Sequence, residues 1–404
     1  METLTFLLTS TFYPPYHVGG DAVHVKHLAE ELTKKGHEVH VLHSIDASRL
    51  KRIAPEPTSD PHGVHIHGIE TPFRLSAYAA YLLGNSSAVY KRFRRLVQVV
   101  VPDVVHHHNI SLLGYGILNR RASYLNLYTA HDYWLFCQRN NLMEFGRFPC
   151  TERHCTSCSF AVGRPPQMWR MRSEFCKAIH EIDHIIAPSK FMLNALKQEF
   201  PDIRMHHIPN FVFPMNSGAA SNDANRERSC SDHPYFVYVG VLERHKGIMP
   251  FLRRFVTWSL QREVELRIVG TGSLESNIDR FVRNQKSEDR ICMLGRVSSG
   301  ELRRQISGAI GLVLPSVWPE NSPLVALEAL AAGTPPISSS LGGLPEIVGL
   351  LDRRLLFQWH EPDSLEQALD YAIERHGALG ARAKCVFNTF FSSEKYLELY
   401  DRLL

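Results

Sequence analysis

From Val313 to Val348 the chain reads VLPSVWPENSPLVALEALAAGTPPISSSLGGLPEIV, and between Pro323 and Ala332 every side chain is apolar except Glu328. A helix of that composition has no face to offer water, so it must be covered on all sides; the apolar strand just before it belongs to a sheet that can cover it. The polar turn between them places Ser322 to cap the helix and Pro323 at its first position. The N–H groups of Leu324 and Val325 then face whatever lies in front, which makes an anion site.

A buried carboxylate needs partners, so Glu328 is expected to meet either protein groups or a ligand carrying hydroxyls. Glu320 stands in the turn, while Glu328 lies ~7 Å along the helix from its start. One ligand could reach all three places: a sugar at Glu320, a diphosphate at the helix N-terminus with Asn321, Ser322, Pro323, Leu324 and Val325, and a ribose at Glu328. The alternative makes Glu320 a solvated loop residue and pairs Glu328 with a buried Lys or Arg.

The rest of the chain alternates strand and helix. Leu4 to Leu8 reads as a buried strand, followed by a loop to Gly20 and a helix with Val25, Leu28, Ala29 and Leu32 on one face. Gly19 and Gly20 at this turn would let a phosphate or sugar approach the backbone, or would serve only a tight turn. Residues Asp46 to Pro61 read as loop and Ser76 to Val100 as helix. The strand Leu125 to Tyr128 delivers His131 and Asp132 to a carboxyl end, where open α/β sheets place ligands. A histidine bonded only to backbone is the other reading of His131. Pro214 to His233, rich in Ser, Asn, Asp and Ala, reads as a flexible connection. A second alternating set begins at Tyr235, with Lys246 in its first strand-to-helix loop. Ser364 to Arg375 and Ser393 to Leu403 read as the last helices.

Glu320 and Glu328, in the setting PSVWPENSPLVALEALAAGTPPI, resemble the paired-glutamate motif of retaining GT-B glycosyltransferases of family 4. The Gly-Gly at Gly19 and Gly20, the His-Asp at His131 and the Lys-Gly at Lys246 extend the resemblance over most of the chain. It implies an α/β protein of two Rossmann-like domains facing across a cleft. The expected division is an acceptor domain at 1–212, a linker at 213–233, a nucleotide-sugar domain at 234–385, and a final helix at 386–404 returning to the first domain. It further implies an enzyme that moves a sugar from a nucleotide-sugar donor to a glycan or lipid-linked acceptor. His131, Glu320 and Lys246 would be catalytic, and Arg296 would lie near the base. Where the family commonly has Arg this chain has Val241, and Arg244 is the candidate replacement. Lys246 and the helix N-terminus would carry the charge of the leaving diphosphate, so no metal is required for that step.

Two other classes compete. A dinucleotide dehydrogenase would need Gly-x-Gly-x-x-Gly after a strand, and Gly270-Thr271-Gly272 lacks the third glycine. A non-catalytic sugar-nucleotide binder on the same fold remains compatible with Val241.

A formal charge of +4 is too small to argue for nucleic acid, and no apolar run is long enough to span a bilayer. The expected place is the cytoplasm. Lys91 to Arg95, Arg120-Arg121 and Met168-Trp169-Arg170-Met171-Arg172 set basic residues beside apolar ones, which suits peripheral contact with the inner face of a membrane as well as it suits ordinary solvated helix faces. Between Cys137 and Cys158 lie two further cysteines, Cys150 and Cys155, a spacing suited to a structural zinc; four reduced thiols are the alternative.

Overall fold

The computed structural model describes residues 3–16, 19–53, 55, 63–72, 75–120, 122–213 and 233–404. They cluster into two units, Met1–Asn210 with Tyr396–Leu404, and Phe211–Lys395. The stretch read as a linker lies almost wholly outside the described residues, as does Arg121.

In the first unit the strands are β1 (Thr5–Ser10), β2 (Glu38–Ser44), β3 (Val64–Ile69), β4 (Val104–His107), β5 (Leu125–Thr129), a small hairpin of β6 (Met143–Glu144) and β7 (Phe148–Pro149), then β8 (His184–Ala187) and β9 (Met205–His207). Apart from the hairpin they form one parallel sheet in the order β3-β2-β1-β4-β5-β8-β9. Buried on both faces, they carry apolar runs such as Phe6-Leu7-Leu8, all fully covered. The second unit repeats the pattern with β10 (Tyr235–Val239), β11 (Glu265–Val269), β12 (Ile291–Gly295), β13 (Gly311–Leu314), β14 (Pro336–Ser339) and β15 (Leu356–Phe357), ordered β12-β11-β10-β13-β14-β15. Both are doubly wound, so each strand order reverses at one place: between β1 and β4, and between β10 and β13. The loops at the carboxyl ends of those pairs are where such sheets hold ligands.

Three helix readings are corrected. Residues Ile45–Leu50, read as loop, form a short helix whose first turn is capped by Ser44 Oγ, accepting from Ala47 N at 3.1 Å. The single helix read from Ser76 to Val100 is two, Leu75–Leu83 and Ser87–Val100. Gly84 parts them at φ 73°, where a Cβ would stand 2.4 Å from Trp169 and 2.6 Å from Tyr115. The helix read as ending at Arg375 runs from Ser364 to Phe390, across the boundary drawn at 385. Its Gly380 does not break it but permits close packing, since a Cβ there would lie 2.8 Å from Gly333 O. Ser189 Oγ caps the helix Lys190–Glu199, accepting from Met192 N at 3.1 Å.

The last residues are bound to the first unit by polar and ring contacts. Lys35 Nζ reaches Asp401 Oδ2 at 2.5 Å, and the Tyr400 hydroxyl lies 2.9 Å from His106 Nδ1. Among the described residues no helix is long and apolar enough to cross a membrane.

Candidate active site

In the second unit, β10 ends in the loop that carries Val241, Arg244 and Lys246, and β13 ends in the turn that carries Ser316, Trp318 and Glu320. Lys246 Nζ donates to Glu320 Oε1 at 2.6 Å, Ser316 Oγ donates to the same oxygen at 2.6 Å, and the ammonium sits 5.1 Å from the Trp318 ring centre. Glu320 is only 6 % exposed. Burial alone would raise its carboxyl, but the charge of Lys246 and hydrogen bonds from Lys246, Ser316 and Trp318 outweigh that and hold it below the usual range. Glu320 is therefore a buried, ionised group and not a solvated loop residue.

Two glycines press on this turn, one before it and one after it in the chain. Gly247 has φ 70°, and a Cβ on it would fall 1.6 Å from Pro315 O; Gly342 has φ 63°, and its Cβ would fall 2.1 Å from Glu320 O. Gly343 N also bonds Glu320 O at 2.7 Å, and Val317 N bonds His245 O at 2.9 Å. The carboxylate is thus aimed by a backbone that has little room to relax.

The helix after the turn starts at Leu324, one residue later than expected. Pro323, whose ring offers no hydrogen bond, stands at the cap position that the sequence reading gave to Ser322. Ala326 N is turned back to Pro323 O at 3.0 Å, and Leu324 and Val325 hold the leading N–H positions, whose groups have no partner within the helix. Asn321 and Ser322 are buried beside them.

Glu328 reverses the alternative reading. Among the described residues no hydrogen bond or ion pair reaches its carboxylate, and burial pushes the carboxyl up to about 7 against a smaller pull from Arg303. It is partly open at the surface of its helix. Arg244 and Arg296 are exposed, as is Val241; the carbonyl of Val241 accepts from the Tyr238 hydroxyl at 3.0 Å.

In the first unit, Gly19 at φ 90° opens the helix Gly20–Lys34 with no side-chain cap. Asp21 in its first turn accepts from Asn109 Nδ2 at 2.7 Å, which ties this helix start to the loop after β4. His131, just past β5, is half-buried, and its Nε2 lies 3.0 Å from Nδ1 of His108. His24 packs edge-on to His131 with ring centres 5.0 Å apart. Burial keeps all three rings uncharged: His131 is lowered to about 3, and His24 and His108 are lowered by burial first and by neighbouring histidines second. Asp132 is pushed up to about 7 by burial, opposed by hydrogen bonds from Trp134 N and Asn140. Sequence reading missed His24, His108 and Asn109. The run His106-His107-His108 at a strand's carboxyl end was a signal for them, though not for which side chains turn the same way.

Two expectations fail here. Among the described residues no three of the sulfurs of Cys137, Cys150, Cys155 and Cys158 lie within 4.8 Å of one another, as a tetrahedral zinc requires. Cys158 Sγ instead accepts from Phe145 N at 3.2 Å, and Cys150 Sγ donates to Glu152 O at 3.2 Å. Burial first, and neighbouring cysteines after it, raise the Cys150 and Cys155 thiols. The second failure is Arg170, read as a surface base. Its guanidinium is stacked 4.6 Å from Trp169, 5.1 Å from Trp134 and 5.3 Å from Phe175, and desolvation lowers it to about 10.

Comparison with known proteins agrees with this geometry. The model described as Glycosyltransferase Family 4 matches residues 18–214, and that described as Glycosyl transferases group 1 matches residues 221–388. An uncharacterised glycosyltransferase of Methanocaldococcus jannaschii is 26% identical over 383 residues, covering 90% of this chain and 88% of that protein. Among solved structures, sucrose-phosphate synthase from Thermosynechococcus elongatus superposes with a TM-score of 0.71 at 18% identity, over 99% of both chains. The Anabaena protein HepE, solved with UDP and glucose, does so with a TM-score of 0.66 at 15% identity, again over 99% of both. These structures show the fold, GT-B, with its two Rossmann-like sheets.

Proposed function

The chain belongs to the glycosyl transferases of group 1, glycosyltransferase family 4, a family of retaining hexosyltransferases, and from that premise we propose that it moves a sugar from a nucleotide-sugar donor to a glycan or lipid-linked acceptor in the synthesis of a cell-surface polysaccharide or glycoconjugate. The observation that carries the reading is the Lys246–Glu320 pair at the reversal point between β10 and β13, beside an uncapped helix start. In this reading the donor diphosphate lies against the N–H groups of Leu324 and Val325, with Asn321, Ser322 and Pro323 around it and Arg244 and Arg296 at the rim. Glu328 accepts from the ribose hydroxyls, and Glu320 from the sugar's. Gly19, Gly20 and His131 are assigned to the sugar and the acceptor.

When the bond from the anomeric carbon to the phosphate oxygen breaks, both electrons stay on the diphosphate. Lys246 and the helix N-terminus are placed to stabilise that charge, in a site whose dipoles are already oriented. For the acceptor, we assign the cytoplasmic face of a membrane. Lys91, Arg92, Arg94 and Arg95 are all exposed on one helix, and Val99 and Val101 at its end are 74 % and 73 % exposed. Such a surface suits anionic lipid, at roughly 1 kcal/mol per basic residue.

A thermal-shift screen of nucleotide sugars tests the donor: a ligand at ~100 times its Kd adds ~2.7 kcal/mol to the folded state. The expected outcome is one stabilising donor, followed by a product whose anomeric configuration, read by NMR, matches that donor. Absence of a shift with every UDP, ADP, GDP and TDP sugar would overturn the assignment.

A further inference from the structure

The helix Leu75–Leu83, with the sequence LSAYAAYLL, carries no charged residue and is turned inside out. Its buried side is made of the small residues Ser76, Ala77 and Ala80, while Leu75, Tyr78, Leu82 and Leu83 are between 47% and 64% exposed. Leu75, Tyr78 and Leu82 follow one another at helical spacing and so share one outward face. Trp169 Nε1 donates to Tyr81 O at 3.0 Å, which holds the short helix Met168–Met171 against this one, and Met168 and Met171 extend the exposed apolar surface. We propose that this face seats the hydrocarbon chain of an anionic lipid whose phosphate lies between Lys51 and Arg164, so that the acceptor of the transfer proposed above, on which this rests, is a lipid phosphate carrying its glycan.

Large apolar side chains grouped on a surface forgo the gain of leaving water, and such a group marks a place that a ligand or partner covers. The charges at its rim identify the occupant. Tyr81, on the same helix, donates from its hydroxyl to Pro165 O at 3.2 Å, which sets Arg164 beside it. Leu50, Ile53 and Tyr81 all pack against the cluster that contains Ala77, which sets Lys51 on the same side. Among the described residues no hydrogen bond or ion pair reaches either cationic head, and the Lys51 ammonium is lowered by desolvation first and by the charge of Arg164 second. Two unpartnered cations that repel each other fit one phosphate, which bonds to both at once. The position suits an acceptor as well. The cluster beneath the helix joins Ala77 to Phe12 just past β1, Ala22 in the first turn of the helix Gly20–Lys34, and Leu112 past β4. The face therefore stands over the carboxyl edge of the first sheet, where Gly19 and Gly20 are assigned to the acceptor, and it lies on a different helix from the basic run Lys91 to Arg95.

The full chain is titrated by calorimetry with monododecyl phosphate below its micelle concentration, with butyl phosphate and with dodecyl maltoside. The expected result is one dodecyl phosphate per chain, bound at least about tenfold more tightly than either control. Leu75→Ser with Leu82→Ser should weaken it by at least about tenfold. Lys51→Gln with Arg164→Gln should weaken it by about as much and leave dodecyl maltoside unchanged. All four positions are exposed, so the variants should keep the fold by circular dichroism and keep the thermal shift given by a nucleotide sugar. That shift separates the two readings. Its absence from the parent chain overturns the transferase assignment whatever the lipid does, whereas a normal shift with dodecyl phosphate binding that ignores chain length or the four substitutions overturns the lipid site. The same variants reveal other occupants of the face. A dimer in sedimentation that Leu75→Ser with Leu82→Ser dissociates would place a second copy there, and binding to anionic vesicles that needs these leucines while dodecyl phosphate does not bind would place the bilayer itself there; either result overturns the proposal.

Discussion

Lys246 Nζ lies 2.6 Å from Glu320 Oε1, so the loop after β10 and the turn after β13 are joined by one charge-assisted hydrogen bond at the place where the strand order of the second sheet reverses. The pair is largely covered, with side-chain exposures of 22% and 8%. Each partner compensates the burial of the other, and both are presented to a donor as a preorganised unit.

Removing one partner should cost stability as well as transfer. Lys246→Met leaves the Glu320 carboxylate buried without its cation, and the expected loss is about 3 kcal/mol. Lys246→Met with Glu320→Gln should recover part of it, with a coupling of roughly 1 kcal/mol or more in urea denaturation. Lys246→Met, Glu320→Gln and the double variant should all lose sugar transfer. Additive stability losses would show that the pair is not coupled.

Glu328 makes the donor-free protein sensitive to pH. Its carboxyl is raised from 4.5 to about 7 in the folded state, so its contribution to stability is full below 4.5 and is lost as pH rises through about 7. The melting temperature without donor should therefore fall between about pH 4.5 and pH 7, and Glu328→Gln should flatten that fall. An unchanged pH profile in the variant would assign the slope to other groups.

Glycines in the two settings should respond oppositely to alanine. At Gly247, φ is 70° and Pro315 O stands where a Cβ would go, so Gly247→Ala should destabilise by more than about 1 kcal/mol and displace the Glu320 turn. Gly377 lies inside a helix with nothing within 4 Å, so Gly377→Ala should stabilise by roughly 0.5–1 kcal/mol. Thermal denaturation of both distinguishes strain from mere loss of flexibility.

Membrane contact is checked by flotation with vesicles containing anionic lipid. Binding should weaken with salt and drop when Lys91, Arg92, Arg94 and Arg95 are all changed to Gln. Binding that ignores both changes would point to a soluble acceptor.

Periodicity alone placed β1, β5 and β10 and helices beside them, because a strand buried on both faces and an apolar helix can be stable only in a layered α/β unit. It missed the break at Gly84, and the helix it ended at Arg375 runs on through Gly380. A glycine in sequence signals freedom, and only its neighbours decide whether that freedom is used for a turn, as at Gly84, or for close approach, as at Gly380.

The sequence by itself placed the two carboxylates, Glu320 in the turn and Glu328 on the helix after it, and the backbone donors of Leu324 and Val325 between them, since these depend only on local spacing. It could not say which carboxylate is neutralised: Lys246 is distant in the chain and reaches Glu320 only because β10 and β13 are neighbours. The same holds for side chains gathered from distant parts of the chain. The close spacing of the cysteines suggested a site that the hairpin does not assemble, whereas His24, His108 and His131 share no spacing and are gathered by the sheet order that brings the ends of β4 and β5 against one helix. Local chemistry is written in neighbours along the chain, and pairing across it is decided by which strands lie side by side.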